Sequence, residues 1–197
     1  GRPNKRVRLA ALLHDVGKPK TRSFANGGVS FHHHEVVGAR MARERLTALR
    51  YPNDEIDDIV QLVYLHLRFH TYAMGWTDAA VRRFVRDAGD LLPELIELTR
   101  CDCTTRNQRK AERLSRRMDE LEERIAALAE QEELAALRPD LDGKQVMDHL
   151  GIAPGREVGQ ALDFLLQLRL DEGPLGEDEA YARLDAWWAA RGAGDTP

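Results

Sequence analysis

"LAALLHDVGKPKT", residues 9–21, is the stretch on which the reading of this chain turns. Leu9-Ala10-Ala11-Leu12-Leu13 is an apolar run that reads as a helix entering a core, and His14-Asp15 follows it directly. Gly17 and Pro19 then end the helix. An imidazole and a carboxylate side by side at the end of a buried helix have two readings. They make a polar last turn facing water, or they ligate a cation. Neutral His and ionised Asp are both good ligands for Zn, Mn, Fe or Mg.

The composition sets the class. With 197 residues the chain can bury a core of one domain, or of a domain plus an appendage. Ala, Leu, Arg and Glu are plentiful and aromatic residues make up only 6%, which favours helices over sheets. The net charge of −4 excludes a polycation, so any nucleic-acid contact must come from a local basic patch. Cys101 and Cys103, the only cysteines, would point to different sides of a helix, which argues against a structural disulfide. No apolar run approaches the roughly 20 residues that span a bilayer, and no signal-peptide pattern is evident. A cytoplasmic protein without membrane contact is expected. Gly1 and the abrupt helix start suggest a piece cut from a longer protein.

Apolar periodicity near 3.6 recurs along the chain without a convincing alternating strand, so an all-α fold is expected. Helices are expected over residues 7–15, 33–49, 54–68, 78–87, 91–105 and 108–136. The second buries Val36, Val37, Met41 and Leu46, and Asn53 or Asp54 caps the third. Residues 17–31 and 69–76 read as loops, punctuated by Gly and Pro. Leu114, Met118, Leu121, Ile125 and Leu128 give the long helix a narrow 4-3-4-3 seam. Arg138-Pro139 breaks it, and three short helices follow over residues 143–149, 155–171 and 177–191.

Of seven histidines, six fall in the first seventy residues, each at or next to an expected helix end. Short loops could bring these ends together. Taken alone, a His at a helix C-terminus is more often a partner of the helix dipole than a ligand. Asp102 lies in a half-buried helical segment, where a carboxylate needs a cation or hydrogen-bond donors.

With those residues in view, "LLHDVGKP" resembles the HD-domain superfamily of metal-dependent phosphohydrolases, whose pattern is H…HD…D on a helical core. "FHHHEVVGARMARERLTALRYPNDEIDDIVQLVYLHLRFH" is similar to its members with extra ligands. The resemblance implies a divalent metal (Mn, Mg, Ni, Fe or Zn) held by His14, Asp15, His34, His66 and Asp102. It also implies phosphate-ester hydrolysis, with Lys18 neutralising a phosphate oxygen. The family's first His precedes the HD pair, and no His stands before His14; either truncation removed it or this member has lost it.

The order of "LTRCDCTTRN" and "DLDGKQVMDHLGIAPGREVGQAL" after these segments resembles the C-terminal half of bacterial class II CCA-adding tRNA nucleotidyltransferases, in the poly(A) polymerase-like family. That resemblance implies an HD domain over 1–105, a connecting helix over 106–138 and an RNA-binding tail over 139–197. The partners it implies are the tRNA acceptor arm and an N-terminal nucleotidyltransferase head using Mg and NTP. The head's glycine-serine motif and paired carboxylates do not occur in these residues. Independently, Arg106, Arg109, Lys110, Arg113, Arg116 and Arg117 line neighbouring turns of one helix, and Arg82, Arg83 and Arg86 form a smaller cluster. Such spacing suits phosphates along a groove, and it also suits an ordinary solvated helix. Pro154-Gly155 opens a helix whose N–H groups either hold a phosphate or are simply capped. Trp187-Trp188 reads as packing of the tail before base stacking. Two other functions stay open: an HD phosphohydrolase acting on nucleotides, and an inert tRNA-binding scaffold. The sequence leaves the oligomeric state open.

Overall fold

A computed structural model of the chain describes residues 4–25, 28–72, 75–102, 107–132 and 138–192. It is all-α apart from one short hairpin among the described residues. Contacts divide the chain into two units, Gly1–Trp76 with Asp87–Arg124, and Thr77–Arg86 with Ile125–Pro197.

In the first unit, helix α1 (Lys5–Leu13) starts at Asn4, whose side chain accepts from the Val7 N–H at 2.9 Å. The chain then turns through a one-turn helix α2 (Lys18–Thr21) into strands β1 (Ser23–Ala25) and β2 (Gly28–Ser30). The strands pair antiparallel with Phe24 opposite Val29. Residues 17–31 are therefore not a plain loop. Asn26-Gly27 in the sequence between the strands is a favoured hairpin dipeptide. Strands of three residues are too short to show an alternation, so periodicity does not find them.

Helix α3 (His34–Ala48) packs on α4 (Asn53–Leu65). Gly38, Ala39 and Ala42 on α3 are buried, and small side chains there let the two backbones approach. Leu46 is buried as expected, whereas Val36 lies on the outer face of α3 and is 47% exposed. Pro52 occupies the cap of α4 without a side-chain hydrogen bond, so Asn53 and Asp54 lie inside the helix rather than capping it. Ile56, Ile59, Leu62 and Val63 of α4 form the centre of the core with Val7 and Ala10 of α1. On its outer face, Lys5–Glu55 (2.5 Å) and Arg6–Asp58 (2.9 Å) pair α1 with α4. A short helix α5 (Arg68–Tyr72) falls where a loop was expected. After α6 (Asp78–Ala88), a 3-10 turn leads into α7 (Leu92–Asp102), which packs Leu95 and Leu98 on the same core.

The long helix α8 (Gln108–Glu132) buries Met118, Leu121 and Leu128 of the expected seam. In the second unit α9 (Gly143–Leu150) opens on a complete capping box, Asp142 with Gln145. With α10 (Arg156–Glu172) and α11 (Glu177–Gly192) it encloses a core of Leu141, Val146, Leu165 and Leu184. Trp187 stacks on Phe164 at 5.1 Å, so it packs against the tail helices. Gly155 precedes α10 without a side-chain cap.

Candidate metal centre

Four helix ends meet in the first unit. His14 is the C-cap residue of α1, His34 opens α3, His66 is the C-cap residue of α4, and Asp102 ends α7. The convergence depends on one close backbone crossing. A Cβ on Gly17 would lie 2.2 Å from the His34 carbonyl oxygen and 2.7 Å from the Gly38 nitrogen. Only a glycine lets the turn after His14-Asp15 lie this close to α3, and the crossing sets Asp15 against His34.

The three imidazoles are oriented in the same way. Each Nδ1 lies against a backbone carbonyl three residues earlier: His14 on Ala11 at 2.7 Å, His34 on Phe31 at 2.8 Å, His66 on Val63 at 2.6 Å. A carbonyl only accepts, so each Nδ1 carries a proton, and the neutral His34 and His66 rings turn an Nε2 lone pair inward. The Nε2 atoms of His34 and His66 are buried with no hydrogen-bond partner. Facing them is a carboxylate, with Asp15 Oδ1 3.3 Å from His34 Nε2 and Asp15 Oδ2 3.3 Å from His14 Nε2. Lone pairs opposed at that distance repel unless a positive charge lies between them. Asp15, His34 and His66 each offer a ligand atom, all within 4.8 Å of one another. Around one cation with bonds of about 2.1 Å, ligand atoms stand about 3.0 Å apart at right angles, about 3.4 Å at the tetrahedral angle and about 4.2 Å when opposed, so small side-chain shifts close the set. The residues fit a divalent cation.

His14 and Asp102 form an adjoining pair, His14 Nε2 lying 3.1 Å from Asp102 Oδ1. The His14 ring is edge-on to His66 with centroids 5.2 Å apart. The hydrogen bond to Asp102 raises the His14 pKa against the opposing effect of burial. Asp102 is held well below the usual carboxylate range, first by His14 and then by His70. Burial pushes His66 down, keeping it neutral and available as a ligand. Lys18 Nζ lies 2.7 Å from Asp15 Oδ2 and offsets its charge. His70, absent from the expected set, places its Nε2 3.5 Å from Asp102 Oδ2. The signal for it was the spacing of four residues from His66.

The HD domain family matches residues 2–133. The chain belongs to the HD-domain family. Two curated relatives of this HD chain are similar over nearly its whole length. One is the A-adding tRNA nucleotidyltransferase of Deinococcus radiodurans, 38% identical over 92% of this chain and 41% of that protein. The other is the CC-adding tRNA nucleotidyltransferase of Thermus thermophilus, 38% identical over 95% of this chain and 41% of that protein. The Multifunctional CCA protein of Legionella pneumophila is 41% identical over 32% of this chain and 15% of that protein. The HD chain thus spans about two fifths of the length of the first two relatives.

The basic residues of the HD chain separate into two kinds. Arg82 is 5% exposed, and its guanidinium is bound to Glu132 at 2.6 and 2.7 Å and to the Leu170 carbonyl at 3.2 Å. Its donors are used inside the second unit, which corrects its reading as a phosphate contact. Arg83 pairs with Asp171, and Arg86 is exposed on α6. Arg109, Lys110, Arg113 and Arg116 are exposed along α8, with Arg117 half-buried beside them. Their side chains make no ion pair among the described residues. Arg106 lies outside the described residues, as does Cys103; Cys101 is a free thiol. No described helix is long and apolar enough to cross a membrane.

Proposed function

We propose that this chain is the HD domain and helical tail, residues 139–197, of a tRNA nucleotidyltransferase, and that its histidine–aspartate cluster is a metal-dependent phosphoesterase centre. The observation that carries the centre is the pair of buried, unpartnered Nε2 atoms on His34 and His66 turned toward Asp15. Asp15, His34 and His66 would hold one divalent cation, with His14 and Asp102 beside them as further ligands. Such a cation supplies charge stabilisation to a phosphoryl oxygen and lowers the pKa of water toward neutrality. His34 and His66 keep their protons on Nδ1, against backbone carbonyls, so they offer lone pairs inward and no acid. Lys18 spends one donor on Asp15 and keeps two for a phosphate oxygen. Substrates of this chemistry are 2′,3′-cyclic phosphates and phosphomonoesters at RNA ends. Nucleotidyl transfer itself, with Mg and NTP, would belong to a head domain that these residues do not include.

The chain loaded with Mn, Ni, Mg, Zn or Fe is expected to hydrolyse adenosine 2′,3′-cyclic phosphate. Activity should vanish in EDTA and in the Asp15→Asn variant. Silence of every metal-loaded sample toward cyclic and monoester substrates would overturn the phosphoesterase reading.

A role in holding tRNA is favoured by a different observation, the exposed basic face of α8, which makes no ion pair among the described residues. Phosphate contacts of this kind give affinity without sequence choice. Replacing Arg109 and Arg113 together by Ala should weaken tRNA binding and flatten its dependence on salt. Each lost phosphate contact lowers the slope of log K against log salt by about 0.7 to 0.9, so the pair should lower it by about 1.4 to 1.8. An unchanged slope, measured by filter binding or gel shift across a salt series, would remove α8 from the interface.

A further inference from the structure

Beside His34 the first unit carries a groove of about 570 Å³, lined by Val29, Phe31, His32, Tyr64 and Arg68 among others. It shares its inner wall with the polar cluster. Phe31 supplies the carbonyl that fixes the His34 ring, and Lys18 Nζ, bound to Asp15, lies 5.9 Å from the Phe31 ring centre. A phosphate ester held at the cluster must place its alcohol portion in some adjoining space, and this groove adjoins it through His34 and Phe31.

The lining describes that alcohol portion. Tyr64 is 40% exposed and Val29 48% exposed, large apolar surfaces that the folded unit leaves uncovered on its own. Tyr64 has no hydrogen-bond partner among the described residues, so its ring is not held there by its hydroxyl. The exposed His32 adds hydrogen-bonding capacity, and Arg68, anchored to Asp87 at 3.4 Å, stands at the same wall. An open, half-polar groove does not suit an acyl chain, which needs enclosure in apolar walls. A bare sugar would leave the aromatic and aliphatic faces unused. A flat base joined to a hydroxylated sugar uses both kinds of surface, and the volume lies within the range of small-ligand sites.

We propose that the groove formed by Val29, Phe31, His32 and Tyr64 is the subsite for the nucleoside portion of a nucleotide phosphate ester, with the base against Tyr64. This rests on the phosphoesterase reading of the neighbouring cluster. Base stacking on an aromatic side chain is lost on alanine substitution and kept by another aromatic.

The test is calorimetric binding to the Mn-loaded chain, with two hydrolysis-resistant probes. One is the 3′-phosphonomethyl analogue of adenosine 3′-monophosphate, and the other is methylphosphonate, which has no nucleoside. The nucleoside probe should bind the wild type at least about tenfold more tightly than methylphosphonate. Tyr64→Ala should weaken it at least about fivefold, Tyr64→Phe should retain it, and neither should change methylphosphonate binding or metal content. Equal affinity of the two probes for the wild type, or an unchanged nucleoside affinity in Tyr64→Ala, would overturn the subsite while leaving the metal centre standing. Failure of both probes on a metal-loaded chain would overturn the subsite and the phosphoesterase reading together.

Discussion

Gly17→Ala is expected to destabilise the first unit by at least about 3 kcal/mol, at the upper end of the usual cost of overpacking. The added methyl would meet the His34 carbonyl oxygen at 2.2 Å and the Gly38 nitrogen at 2.7 Å. Both are backbone atoms of α3, so no side-chain rotation relieves the clash. Either the turn after Asp15 lifts off α3 or α3 shifts against α4. In a chain of this size the cost corresponds to a fall in Tm of about 6 to 12 °C. Gly38→Ala is the control. Its Cβ would meet Gly17 N at 3.4 Å and a Val63 methyl at 3.6 Å, which is ordinary contact, so its effect should stay within about 1 kcal/mol. Thermal melts of the two variants read the asymmetry directly. Equal Tm values would contradict the close crossing.

Asp15→Asn and His66→Ala are expected to lower divalent-metal affinity at least about a hundredfold, since changing even an outer-shell partner typically costs 10- to 100-fold. Their effects on the metal-free fold should differ from that of Gly17→Ala. The amide introduced by Asp15→Asn can donate to an Nε2 lone pair that the native carboxylate opposes at 3.3 Å. The metal-free Asp15→Asn variant should therefore melt at the wild-type temperature or above it. His66→Ala removes a buried ring and should melt lower while keeping its helical signal. Metal content by plasma mass spectrometry, set beside the melts, separates the two kinds of damage. An Asp15→Asn variant that binds metal like the wild type would exclude this carboxylate as a ligand.

Much of the fold is legible because most of its helices are long, and α1 and α9 carry side-chain caps. The 4-3-4-3 seam of α8 marks a helix and its buried face, and the Asp142 box and the Gly151 stop mark the two ends of α9 in local residues. The hairpin over 23–30 is not legible by periodicity, since three-residue strands have no period to measure. The candidate ligands stand out as His and Asp at helix ends. Their meeting point does not, because it depends on the contact of Gly17 with Gly38, residues 21 positions apart. Arg82 misleads for a related reason. It sits in a charge run, yet it lies next to Val81 and near the buried Val85 on the same helix, and its partner Glu132 comes 50 residues later. Exposure could not be read from the charge. His70 was available through its spacing from His66, but only the fold brings it to Asp102.

The ends of α1, α3, α4 and α7 bring together the side chains that would hold a divalent cation. Titration of the metal-free chain with Mn, Ni, Mg, Zn and Fe, against a competing chelator dye, tests it most directly. At least one cation should bind each wild-type chain with at least about a hundredfold higher affinity than the Asp15→Asn/His66→Ala double variant. If no metal binds the wild type more tightly than the double variant, the histidine–aspartate cluster is a structural polar knot and the proposed centre fails.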